Sequence, residues 1–174
     1  MSTRTALDVL DRLHEQRRWF RAKMIAAARA LPETELRRAF PMGMGSPFAT
    51  LVHCWAAETA WINALTGVDP AFTLPGPEAF PSLDALLAEW DRTDARWDAY
   101  RKALTLAELG RPVLRSRDGK SLTTSVEDIL VHVCTHQMYH AAQFKNMLRQ
   151  LGVEPLPPSD FIVFARETWP GGNA

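Results

Sequence analysis

The sequence predicts an all-α protein: a four-helix bundle with a small β-hairpin inserted before the fourth helix. Three observations carry this. Four long segments repeat apolar residues at three- and four-residue steps. Proline and glycine interrupt the chain between those segments rather than within them. One short stretch of β-tolerant residues, broken by Asp118-Gly119, stands where the helical period fails.

The first helix is expected from about Ala6 to Leu31, where Pro32 restricts the residue before it. After the glycine-rich turn "PMGMGS", the second opens with Ser46 as N-cap and Pro47 in the first turn. It continues to Leu65 and stops at Gly67, a C′ glycine. Residues 68–81 are rich in proline and glycine and read as a crossover loop. The third helix opens at Ser82 and presents Leu83, Leu86, Leu87, Trp90, Trp97, Tyr100 and Leu104 as one apolar stripe. The hairpin follows. The fourth helix is capped by Thr124 or Ser125, Thr124 and Glu127 having capping-box spacing, and runs to Leu151 before Gly152. In the tail, Phe161 to Phe164 form a short apolar segment that should pack on the bundle.

A chain of 174 residues has the size of a single domain, and we expect one domain over 1–174. Lys plus Arg and Asp plus Glu both number 20, so net charge gives no reason to expect nucleic acid or an anionic membrane as partner. The N-terminus is polar from the start, and no stretch approaches the roughly 20 apolar residues of a membrane span. A cytoplasmic protein is the expectation. The two cysteines, Cys54 and Cys134, lie far apart within predicted helices and read as free, partly buried thiols.

Chemistry concentrates in "VHVCTHQMYHAAQFKNMLRQLG", residues 131–152, with histidines at 132, 136 and 140. On a helical wheel His140 falls in the middle of the apolar face, His136 at its edge and His132 on the flank. His132 and His140 are about 12 Å apart along the axis, too far to share one ion with ligand bonds of about 2 Å. The feasible chelates are therefore 132/136 or 136/140, and burial favours His136 with His140. His53 of the second helix is the best third candidate. It lies beside Ala49, Ala57, Ala60 and Ala64, a strip of small residues that lets another helix approach. Such a His₃ set would leave positions for solvent or substrate, as in catalytic rather than structural sites. His132 is read as a rim residue, Cys134 as packing and His14 as a surface residue. Glu58, about 140° round the helix from His53, is read as a structural ion-pair partner rather than a base at the ion.

The segments "GMGSPFATLVHCWAAETAWINALTG" and "VHVCTHQMYHAAQFKNMLRQLGVEP" together resemble the DinB/YfiT-like superfamily, bacterial four-helix-bundle proteins regarded as metalloenzymes. His53, Glu58 and Trp61 match its first pattern; His136, His140, Gln143 and "LRQLGVEP" match its second. The resemblance extends from about residue 6 to 166 and implies up-down-down-up helix order. It also implies a metal triad of His53, His136 and His140. Many members carry Arg-Gly where this chain has Ala141-Ala142, which removes a guanidinium that could hold an anion. Characterised relatives, thiol-dependent transferases and isomerases, imply a metal-dependent enzyme that activates a low-molecular-weight thiol; a variant is hydrolysis by metal-activated water. The alternative is a non-catalytic, stress-associated metal protein that forms a homodimer, with some of the six tryptophans at its interface or pocket. Three imidazoles suit zinc or nickel, and iron or copper as well.

Overall fold

The structure, a computed structural model, describes residues 4–69, 72–117 and 119–170. It is mostly helical with one two-stranded antiparallel sheet. In chain order the elements are α1 (Ala6–Arg29), α2 (Glu33–Leu36), α3 (Pro47–Thr66), α4 (Leu83–Ala103), β1 (Pro112–Arg117), β2 (Lys120–Ser125), α5 (Val126–Gln150) and α6 (Phe161–Glu167). The single turn α2 was not anticipated from the sequence; it follows Pro32, which starts it where α1 has just ended. Residues 70–71 of the expected crossover and Asp118 of the expected turn lie outside the described residues.

The helix starts are set by their caps. Thr5 and Asp8 form a reciprocal capping box on α1. Ser46 Oγ accepts from the Ala49 amide at 3.0 Å, and Gly67 closes α3 in the left-handed region at φ 69°. Ser82 does the same for α4. The box on α5 is Ser125 with Asp128, one residue later than the expected Thr124 with Glu127. The reason is the hairpin, which keeps Ser125 extended opposite Pro112, so that the helix cannot begin before Val126 and Ser125 takes the cap position.

Two apolar clusters fill the interior. One joins Phe20 and Met24 of α1, Phe48, Leu51 and Trp55 of α3, Leu86 and Trp90 of α4, and Phe144 and Leu148 of α5. The other joins Leu10, Ile62, Leu65, Trp97, Val113, Ile129 and Val133. Between them, at mid-height, lies a buried polar layer: Arg17, Arg21, Glu58, Thr93, Asp94 and Gln137. Glu58 Oε2 pairs with Arg17, accepts from Arg21 Nη1 at 3.2 Å and from Trp90 Nε1 at 3.0 Å. Arg21 also pairs with Asp94. The stability of these ion pairs depends on mutual satisfaction, because an unpaired charge at this depth is costly. The tryptophans at 55, 90 and 97 belong to the core, and each indole N–H finds an acceptor there.

His14 is a correction. Its side chain is 0% exposed and lies against the Trp97 ring, centroids 5.5 Å apart. Leu10, His14, Arg17, Arg21, Met24 and Ala28 follow three- and four-residue steps along α1 and are all buried, so its inward face carries three polar side chains. Cys54 and Cys134 are free and buried, as expected. Among the described residues no helix is long and apolar enough to cross a membrane.

Candidate metal centre

Helix α3 is buried on almost every side, against α4 and α5, and the small residue Ala57 lies beside Val133, His136 and Gln137 of α5. His53 therefore meets the His136/His140 face of α5 across a narrow gap. The His136 Nε2 lies 3.2 Å from His53 Nε2 and 3.2 Å from His140 Nε2. All three donor atoms fall within 4.8 Å of one another, a group that could hold a metal ion. A tetrahedral ion with bonds of about 2.0–2.1 Å would hold its nitrogens about 3.3–3.4 Å apart. The observed spacing fits that demand with little adjustment.

The chemistry of the donors also fits. Burial lowers the pKa of His53, His136 and His140, and neighbouring imidazoles lower His53 and His136 further, His136 to about 4. The rings are thus neutral at physiological pH, the form that ligates. His140 Nδ1 is 2.9 Å from Gln143 Oε1. An amide oxygen only accepts, so Nδ1 carries the proton and Nε2 keeps its lone pair for the cluster. Three imidazole nitrogens converging on one point, with the His140 lone pair directed at it, are an arrangement suited to a cation.

His140 is 6% exposed, while His53 and His136 are half-buried, so the set faces the surface at the side of the bundle. Among the described residues no fourth His, Cys, Asp or Glu joins the group. His132 stays outside it, exposed one turn away, with its ring 5.3 Å from His136 and edge-on to Trp61 at 5.2 Å. Arg115, carried by β1, stacks its guanidinium over Trp61 at 4.4 Å. Glu58 belongs to the polar layer instead. Burial pushes its carboxyl up, but the charges of Arg17 and Arg21 outweigh this and hold it below the usual carboxylate value. Neither cysteine offers a thiolate: burial pushes Cys134 up to about 11 and Cys54 further. Ala141 is wholly buried beside Phe144 in the core, so this position points away from the surface.

A helical scaffold that converges three imidazoles from two helices defines a protein able to hold one metal ion in an open set of ligands. The family follows from comparison. The family model of the DinB superfamily matches residues 16–144, a span that contains all three histidines, and the chain belongs to that superfamily. No curated protein matches the chain.

Proposed function

We propose that this chain is a metal-dependent enzyme in which His53, His136 and His140 are the ligands of one divalent ion, zinc or nickel in first place, with iron or copper also suited. The observation that carries this reading is the convergence of three neutral imidazoles, His136 Nε2 lying 3.2 Å from both His53 Nε2 and His140 Nε2, with no fourth His, Cys, Asp or Glu beside them among the described residues. A divalent ion there lowers the pKa of a thiol or water bound in its open position. Thiol activation is the better fit of the two. Hydrolysis calls for a base beside the water, and Glu58 is locked into ion pairs inside the bundle. The chain's own thiols are buried, so the nucleophile would be a low-molecular-weight thiol, transferred to a small electrophile.

The scaffold in this reading is one cytoplasmic domain with helices in up-down-down-up order. In support, the C-terminal halves of α1 and α5 share an apolar cluster with the N-terminal halves of α3 and α4. Pairs between α1 and α4 also run in opposite order, Arg29 with Asp84, Arg18 with Asp98 and Arg101 with Asp11. A second reading, a non-catalytic metal-binding homodimer, draws on Val9, Phe161 and Trp169, exposed apolar residues that line one groove between α1 and α6.

The test is metal content of untagged protein from metal-replete cells, beside His136→Ala. About one equivalent in the wild type and almost none in the variant is the expected result. Equal trace amounts in both would end the proposal. Metal-dependent consumption of an added thiol with an electrophile then separates the enzyme from the non-catalytic dimer.

A further inference from the structure

The loop before α3 makes a close approach to α5 that the metal ligands themselves do not explain. Gly43 has φ +53°, and a Cβ built on it would stand 2.6 Å from Gln143 Oε1 and 2.9 Å from its Cδ. Any side chain at 43 would therefore occupy the space of the amide that accepts the His140 Nδ1 proton at 2.9 Å. Gly45, two residues on, also has positive φ, yet meets nothing within 4 Å. The turn's shape alone would account for both glycines; the contact with Gln143 belongs to Gly43 only.

We infer that Gly43 is a positioning residue for the metal site, acting through Gln143: its missing side chain keeps the amide where it fixes the tautomer of His140. The inference rests on the proposed ligand set. Two tautomers of a neutral imidazole compete. With Gln143 Oε1 in place, the proton sits on Nδ1 and Nε2 faces the cluster as a lone pair. If the amide is displaced, the proton moves to Nε2. It then hydrogen-bonds to His136 Nε2, already 3.2 Å away, and two ligand atoms satisfy each other instead of an ion. Gly43 thus keeps the three histidines poised for metal, from a loop about 100 residues before the side chain it makes room for.

The experiment is a double-mutant cycle read by affinity for Zn²⁺, by competition with a chromogenic chelator, and by thermal stability of the metal-free protein. Gly43→Ala and Gln143→Ala should each lower affinity about 10- to 100-fold, the range for loss of a group that orients a ligand. Gln143→Glu, which keeps the acceptor, should restore binding relative to Gln143→Ala. Gly43→Ala strains the turn and lowers metal-free stability in either background. In the Gln143→Ala background, however, it should cause no further loss of affinity. Nitrogen-15 imidazole shifts of metal-free Gly43→Ala should show His140 moving toward the Nε2–H tautomer. An additive loss in the double variant, or unchanged affinity in Gly43→Ala, overturns the role of Gly43. If His136→Ala binds Zn²⁺ as tightly as the wild type, the ligand set itself is wrong, a separate outcome.

Discussion

At the scale of single residues, His14 shows how burial turns an ordinary side chain into a pH-sensitive one. The side chain is 0% exposed, so neither ring nitrogen reaches water. Desolvation first, then the charges of Arg17 and Arg101, hold its pKa well below 6.5; the Leu130 backbone opposes them with the smallest effect. A native pKa below the unfolded one means that the unfolded chain takes up the proton first. Stability is then full above about pH 6.5 and declines as pH falls toward the native value. Each pH unit in that window removes up to about 1.4 kcal/mol on account of this one group. We predict that His14→Leu has a smaller loss of stability between pH 7 and 5.5 than the wild type, measured by urea unfolding at both pH values. Parallel pH profiles would show that His14 is protonated or solvated in the native state.

At the scale of elements, the buried layer fastens α1, α3 and α4 to one another through Glu58. Glu58→Gln would leave Arg17 and Arg21 without their shared carboxylate, and breaking a buried pair by removing one partner costs about 3–5 kcal/mol. We expect Glu58→Gln to unfold at clearly lower denaturant concentration and still bind metal at about one equivalent, because the carboxylate bonds Arg17, Arg21 and Trp90 rather than a histidine. Loss of metal with unchanged stability would place Glu58 at the ion instead. The same elements show what could be read in the sequence. Cap residues and glycine stops placed the ends of α3 and α4 within a residue or two, because Ser46, Ser82 and Gly67 act locally. His53, His136 and His140 were legible because i, i+4 spacing and a strip of alanines are also local patterns. His14 was not: Arg17 and Arg21 on the same inward stripe look like solvent-facing residues until Glu58 and Asp94 from other helices meet them. For the α5 cap the sequence offered Thr124 or Ser125, and the choice of Ser125 with Asp128 over Thr124 with Glu127 depends on pairing with β1.

For the whole molecule, an ion at the triad would join α3 to α5, two helices whose ligands lie 83 residues apart in the chain. A ligand that binds only the folded state stabilises it by about 2.7 kcal/mol when present at 100 times its Kd. For a domain of this size about 2–4 °C of Tm accompanies each kcal/mol, so saturating metal should raise Tm by about 5–11 °C. The shift should vanish in His136→Ala and persist in His132→Ala, whose ring lies outside the donor group. Its pH dependence has a definite sign. Protons and metal compete for the same Nε2 lone pairs, and burial with imidazole neighbours lowers His136 to about 4. The metal-dependent shift should therefore survive at pH 6, where a free imidazole is already mostly protonated, and collapse as pH approaches 4. Scanning calorimetry with and without Zn²⁺ across pH 7 to 4 measures this directly. Collapse already near pH 6.5 would mean that the imidazoles titrate as solvated groups, and that the bundle does not hold them in the neutral, converging form on which the metal site depends.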